Sequence, residues 1–389
     1  MGFRMYMPTD LIFGCGTLNS LHKQKMPGKK AMVAISNGES ARANGYLART
    51  EEQLKLAGAE SAVFGGIGPN PLKSAVMAGA QFCRDNGCDF IVALGGGSVM
   101  DAAKAMALMA TNGGDLWDYI GSGSGKGLAY KNAPLPLVTI TTTAGTGSEV
   151  DPWGVITHDE LNEKIGFGFE SLYPVFSIVD PELMLTVPPL FTAFQGFDAF
   201  FHSAEVYVSK PANDMSDMYA LKSISLISKY LARAVRDGGD IEAREKVALG
   251  NTLGGYAMVA ASTTSQHSLE HALSAFHHEL PHGAGLVLLS LAYMSHLIER
   301  GACDSRFIDM ARAMGDADAN KPADFIRALA ALQNDCLVAD VKMSDYGIAP
   351  SEFKKLAENA KYTMGGLFNA DRIDITVDDC VSILKKSYK

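Results

Sequence analysis

DFIVALGGGSVMDAAKA, residues 89–105, runs an apolar segment straight into three glycines and then into a helix-forming stretch. Apolar residues without polar alternation mark a strand buried on both faces, as in a parallel sheet covered by helices. Gly95, Gly96 and Gly97 let the backbone approach a ligand closely. The helix that follows offers unpaired N–H groups and a positive dipole end to a phosphate. Ser98 and Asp101 lie at its start, where Asp101 either steadies the helix or hydrogen-bonds a ligand. A tight strand-to-helix turn without any ligand has the same sequence. The spacing is not the G-x-G-x-x-G of ordinary dinucleotide-binding turns.

The flanking sequence repeats the alternation. AMVAIS (31–36) reads as a strand, followed by Asn37-Gly38 and a polar-faced helix through Leu56. SAVFGGI (61–67) is a second strand, closed by Gly68-Pro69-Asn70-Pro71 and followed by a helix from Leu72 to Asn86. PLPLVTI is a further strand that ends in TTTAGTGSEV (141–150), whose hydroxyls and glycines predict a close-fitting wall of donors. A threonine-rich edge strand is the plainer alternative. GSGSGKG, within 113–127, has no strand before it and reads as a mobile surface loop. Strands alternating with helices predict an α/β domain with a parallel sheet that binds ligands at the strands' carboxyl ends.

After IVDPELMLTVPPLF the pattern turns helical, and Pro181, Pro188 and Pro189 punctuate a junction between Leu183 and Leu190. Two domains follow, 1–183 and 184–389, as expected for a chain of 389 residues. In GFDAFFH, Asp198 and His202 stand at i and i+4 on one helix face, where they can share an ion or simply bond to each other. QHSLEHALSAFHHELPHGAG (266–285) holds His267, His271, His277, His278 and His282, five of the nine histidines. Imidazole is the commonest protein metal ligand and titrates near neutrality, so this density points to metal chemistry or proton transfer. A polar helix with solvent-facing histidines would look the same. Asp198, His202, His267 and His282 make a candidate set of mixed N and O ligands that admits a substrate oxygen by expanding its coordination. His271 is then a spare imidazole for proton transfer, and His277 and His278 are bystanders.

Composition narrows the partners. A net charge of −9 without a basic run argues against nucleic acid or an anionic membrane surface. Six scattered cysteines without a C-x-x-C pair fit reduced thiols and a cytoplasmic location. No signal peptide is read in MGFRMYMPTDLIFGCG, its MG start is weak evidence for myristoylation, and no window is apolar enough to span a membrane.

Taken in order, FGCGTL near the start, GPNP (68–71), GGGSVMDAAKA (95–105), TTTAGTGSEV (141–150), VDPEL (179–183), GFDAFFH (196–202) and H-x3-H…PHG (267–283) resemble the iron-containing (group III) alcohol dehydrogenase family. The resemblance implies an α/β N-terminal dinucleotide-binding domain plus an all-α C-terminal metal-binding domain, the dehydroquinate synthase-like/iron alcohol dehydrogenase fold, with a cleft between. It also implies Fe2+ or Zn2+ on Asp198, His202, His267 and His282, with His271 as the catalytic histidine. Dinucleotide contacts carry over onto Asn70, Gly96, Gly97, Ser98, Asp101, Thr142, Thr143, Thr146, Lys164 and Leu183. The implied reaction is hydride transfer between NAD(P)(H) and a small primary or secondary alcohol or aldehyde, in a protein with a dimer-forming habit. A zinc glycerol dehydrogenase-type polyol oxidoreductase, a metal-free reductase and a non-catalytic nucleotide sensor are the rivals on the same fold.

Two departures from the family pattern bear on these expectations. His267 and His282 are fifteen residues apart, one more than usual, with the extra residue in FHHELP. Asn37 stands where many NAD-preferring members carry an acidic residue that repels a 2′-phosphate, which tilts the expectation towards NADP(H) over NAD(H). Trp153, Phe167, Phe169 and Phe276 are candidates for an apolar substrate wall.

Overall fold

The computed structural model describes residues 2–388. They form two compact units, one of residues 7–143 and 148–186, the other of residues 2–6, 144–147 and 187–388.

In the first, β1 (Asp10–Phe13), β2 (Lys30–Ser36), β3 (Glu60–Ile67), β4 (Phe90–Gly95), β5 (Leu137–Thr141) and β8 (Phe176–Val179) build a parallel sheet in the order β1-β8-β5-β4-β2-β3. Strand side chains alternate between faces. Ala31, Val33, Ile35, Phe90, Val92, Leu94, Val138, Ile140 and Ile178 therefore share one buried face, and Leu18, Leu21, Tyr46, Leu47 and Leu54 cover it. The last three belong to α2 (Tyr46–Leu56), which follows the single turn α1 (Ser40–Ala43). On the sheet's flanks run α3 (Lys73–Asp85) and α4 (Gly97–Thr111). A separate antiparallel hairpin, β6 (Trp153–His158) and β7 (Glu163–Gly168), packs on α4. The chain adds β3 on one side of β2 and β4 on the other, so the strand order reverses at β2 and β4. A reversal of this kind leaves a crevice at the carboxyl ends of the two strands.

Four features differ from the sequence expectation. The helix after β2 is interrupted at Gly45, whose φ of +72° lies in the left-handed region. β1 and β8, four residues each, and the β6–β7 hairpin were not legible as strands. Residues 113–127 are not mobile throughout: Leu116, Trp117 and Ile120 are buried, and Trp117 Nε1 and Ser124 Oγ donate to the buried carboxylate of Glu163 at 2.9 and 2.8 Å. Residues 144–147 cluster with the helical unit although the expected first domain was 1–183, whereas the passage at 186/187 falls within the expected junction of 183–190.

Helices fill the second unit: α5 (Pro189–Val208), α6 (Asp214–Arg236), α7 (Ile241–Ala260), α8 (Ser265–Phe276), α9 (His282–Glu299), α10 (Asp304–Ala313), α11 (Ala323–Asp335), α12 (Phe353–Phe368) and α13 (Val377–Ser387). Pro189 opens α5, where its missing N–H costs nothing. Asn213 and Thr376 cap α6 and α13 through reciprocal side-chain bonds. α5 is apolar nearly all round, with Phe197, Phe200 and Phe201 fully buried, and it packs against α6, α7 and α9. A helix buried on every side can carry polar groups only where they are paired or used. Asp198, His202 and Glu205 are such groups.

Candidate active site

On α5, Asp198, His202 and Glu205 stand at i, i+4 and i+7, one above the other. His267, Glu270 and His271 occupy one face of α8 in the same way, and His282 is the first residue of α9. Gly283 lets that helix start approach α5 closely: a Cβ there would lie 2.0 Å from the Phe194 carbonyl oxygen. Residues 277–281 form the turn between the two helices.

Three of the four predicted ligands converge within 4.8 Å of one another: Asp198, His267 and His282. Asp198 Oδ1 is 3.7 Å from His267 Nε2 and 3.4 Å from His282 Nε2. His202 lies beside them, its Nδ1 3.6 Å from Asp198 Oδ1 and its ring stacked on His267 at 4.6 Å between centroids. The His271 ring is next to His282, with centroids 5.3 Å apart. His277 pairs with Glu352 at 3.3 Å instead.

Each of the three imidazoles is pinned through Nδ1 to an acceptor. His202 Nδ1 donates to the Gly145 carbonyl at 3.1 Å, His267 Nδ1 to Glu205 Oε1 at 2.7 Å, and His282 Nδ1 to Glu270 Oε2. Carbonyls and carboxylates only accept, so each ring donates from Nδ1, and in the neutral form Nε2 carries the lone pair, which at His267 requires loss of the second proton. Metal-binding histidines are oriented in this manner. Glu205 and Glu270, both fully buried, were not among the predicted site residues. Their i+3 spacing from His202 and His267 was the available signal.

The electrostatics favour a cation here. Burial works against ionisation of Asp198, yet the neighbouring imidazoles of His202, His282 and His267 outweigh it and hold the carboxyl well below the usual range. Burial pushes His202 down to about 4, leaving it neutral at pH 7. Burial also disfavours a charged His267, but the Glu205 and Asp198 carboxylates overcome it and raise that pKa to about 10. Asp198 Oδ1 and His267 Nε2 are buried atoms without a hydrogen-bond partner. Buried polar atoms are costly when unpaired, and a divalent ion between them would satisfy both. The donor set fits the metal.

In the sheet unit, Gly96 precedes α4, whose first turn no side chain caps. A Cβ on Gly96 would meet Thr143 Oγ1 at 2.6 Å, so only glycine allows this close approach. Thr142 N–H bonds the Gly95 carbonyl at 3.0 Å, which holds the ends of β4 and β5 together. Ser98 is partly exposed beside Gly97, and Asn37 is exposed at the end of β2. Lys164 Nζ donates to Asn70 Oδ1 at 3.0 Å, joining two predicted cofactor contacts, and Asn70 takes a left-handed φ of 49°. An uncapped helix start beside a bare backbone cradle fits a pyrophosphate.

Other predicted contacts are placed differently. Both Asp101 oxygens have internal donors, Ser148 Oγ at 2.7 Å and Val155 N at 2.9 Å, so the residue braces α4 against the hairpin. Leu183 is 1% exposed within the apolar cluster under the sheet and offers a cofactor no side-chain surface. Thr146 belongs to the segment 144–147 of the helical unit, alongside the Gly145 carbonyl that accepts from His202. Trp153, Phe167 and Phe169 belong to the sheet unit, whereas Phe276 ends α8 under the Lys355 ammonium at 3.7 Å.

Two family descriptions match the sequence: iron-containing alcohol dehydrogenase over residues 8–181, and Fe-containing alcohol dehydrogenase family, C-terminal, over residues 192–388. Alcohol dehydrogenase 4 of Saccharomyces cerevisiae is 33% identical over 386 residues, covering 99% of this chain and 98% of its own. A probable NADH-dependent butanol dehydrogenase of Bacillus subtilis is 32% identical, covering 99% of each chain. The crystal structure of an archaeal halo-thermophilic alcohol dehydrogenase from a Red Sea brine pool superposes with a TM-score of 0.92 at 34% identity, over 100% of this chain and 99% of that one.

Proposed function

Because this chain belongs to the iron-containing alcohol dehydrogenase family, we propose how its own residues carry out that family's metal- and nicotinamide-dependent oxidoreduction. The protein is an oxidoreductase acting on small alcohols or aldehydes. What supports the residue assignment is the convergence of Asp198 Oδ1 with the Nε2 atoms of His267 and His282, two of these three atoms being buried without a hydrogen-bond partner.

Asp198, His202, His267 and His282 hold one divalent ion, Fe2+ or Zn2+, both of which accept N and O ligands. When bound, the ion supplies a Lewis acid that polarises an alcohol or carbonyl oxygen, and the nicotinamide supplies the hydride acceptor or donor. Asp198 contributes the charge that favours a cation. Glu205, Glu270 and the Gly145 carbonyl keep three imidazoles in the tautomer that presents Nε2. His271, one helical turn from His267, takes the alcohol's hydroxyl proton on a ring nitrogen and passes it towards solvent. Gly96, Gly97 and Ser98 receive the pyrophosphate at the α4 start, with Thr142 and Thr143 as the facing wall. Asn70 and Lys164 contact the ribose and nicotinamide side.

NADP(H) is favoured over NAD(H), since Asn37 puts a neutral amide where a carboxylate would repel a 2′-phosphate. The NADH-dependent Bacillus relative makes this the finer point to test. The family resemblance supports a homodimer, and six free cysteines support a reducing, cytoplasmic compartment. Among the described residues no helix is long and apolar enough to cross a membrane. The deciding assay is a panel of alcohols and aldehydes with NADH and NADPH, on chelator-stripped protein with Fe2+ or Zn2+ restored. Turnover that needs the ion supports the assignment; equal turnover of the stripped protein overturns it.

A further inference from the structure

Behind His267 a line of buried polar groups continues well past the metal ligands. Glu205 Oε1 accepts from His267 Nδ1, and its Oε2 accepts from both the backbone N–H and the hydroxyl of Thr264, each at 2.9 Å. With its own proton committed to Glu205, Thr264 Oγ1 accepts from Tyr293 Oη at 3.0 Å. Tyr293 Oη also lies 2.5 Å from Asp371 Oδ1 and 3.1 Å from Ser265 Oγ. All of these groups are buried, and they come from α5, the N-cap of α8, α9 and the segment after α12.

Counting protons gives the chain a direction. The tyrosine has one proton for two acceptors, Thr264 Oγ1 and Asp371 Oδ1: an ionised Asp371 takes it, whereas a protonated Asp371 leaves it for Thr264. The short Tyr293–Asp371 contact is then completed by a proton carried on Asp371. Desolvation by burial raises the Asp371 carboxyl to about 7, despite the bonds from Tyr293 and Ser265 that lower it, so the protonated form is accessible near neutrality. Every hydroxyl then points the same way, from Asp371 through Tyr293 and Thr264 to the Glu205 carboxylate. Aligned hydrogen bonds in a low-dielectric interior strengthen one another.

We infer that Tyr293, Thr264 and Asp371 form a one-way hydrogen-bond chain that fixes Glu205 and, through it, the ring orientation and metal affinity of His267. Tyr293 is thus a positioning residue for the ion, three hydrogen bonds removed from His267. The inference rests on the reading of His267 as a metal ligand. Its geometry also distinguishes two substitutions at one position. Asparagine at 371 still donates from its amide to Tyr293 Oη, as a protonated carboxyl does, whereas phenylalanine at 293 interrupts the chain.

The test is Co2+ binding to metal-free full-length protein, followed by chelator competition and by the visible bands of the bound ion. Tyr293→Phe is expected to weaken Co2+ binding by about threefold to tenfold and to shift those bands, somewhat less than the roughly 10–100-fold typical of losing a direct partner of a ligand. Asp371→Asn is expected to keep the wild-type affinity and spectrum. Wild-type affinity and bands in Tyr293→Phe would overturn the inference, as would equal losses in both variants. Thermal unfolding of the metal-free proteins checks that each variant folds, and Thr264→Val carries the same test if Tyr293→Phe does not. Failure of the wild-type protein to bind Co2+ at all would instead contradict the ligand reading itself.

Discussion

A neutral imidazole offers one lone pair, and at three histidines here the choice of nitrogen is settled by what holds the other one. The ligand candidates were legible because Asp198/His202 and His267/His271 repeat at helical spacing and His282 stands before a glycine turn. Glu205 and Glu270 were not, because a carboxylate on an apolar helix gives no sign of its partner until the helices pack. Replacing Glu205 by Gln is expected to lower metal affinity by roughly 10–100-fold, read by chelator competition. At the cofactor end, Asn37→Asp is expected to raise KM for NADPH by about tenfold or more while changing KM for NADH far less, since a carboxylate repels the 2′-phosphate; steady-state kinetics with both coenzymes measures it. Leu337 holds a φ of 61° just beyond α11 and is 76% exposed. Leu337→Gly removes the left-handed strain and should stabilise the protein by about 1 kcal/mol, seen as a higher melting temperature.

Helices and strands hold these residues through a few buried ties that explain several sequence motifs. Asp180 accepts from the backbone N–H groups of Gly16, Leu18 and Glu182 at 3.0–3.1 Å, so VDPEL and FGCGTL are two halves of one structural joint. Within GGGSVMDAAKA, Lys104 is fully buried and donates to Ser148, Asp151 and the Trp153 carbonyl, while Asp101 receives Ser148 and Val155. Asp101 and Lys104 of that motif therefore brace the hairpin, while its glycines are the proposed ligand cradle. Lys104→Met would strand the buried Asp151 carboxylate without its cation. The expected cost is about 3–5 kcal/mol, checked by denaturant unfolding, with a loss smaller than 1 kcal/mol contradicting the tie. Long uniform patterns such as β4, α4 and α5 were readable. Four-residue strands were not, because β1 and β8 acquire strand character only by pairing with each other and with β5.

At the scale of the whole molecule, the parallel sheet and the helical remainder follow from the change of sequence pattern between Leu183 and Leu190. Not legible was the return of 144–147 to the helical unit, since nothing in TTTAGTGSEV marks where the backbone leaves one core for the other. Stability against pH is a property of the whole chain, and two buried carboxyls give it a definite slope. Desolvation raises Asp101 to about 6 and Asp371 to about 7 in the folded protein, above the value of 3.8. Groups raised on folding contribute stability that is complete below the unfolded value and lost as pH rises through the folded one. The contribution of these two groups to metal-free stability should thus decline between about pH 4 and pH 8, by on the order of a few kcal/mol for Asp371. Asp371→Asn should flatten that decline, and an unchanged melting-temperature profile would contradict it.

One divalent ion held by Asp198, His202, His267 and His282 is the proposed centre of the chemistry, and the most direct measurement is metal content together with alcohol oxidation in stripped and reconstituted protein. The predicted result is one ion per chain, turnover lost on stripping and regained with Fe2+ or Zn2+, and neither ion nor turnover in His267→Ala. Full NAD(P)+-dependent turnover by metal-free His267→Ala would contradict it.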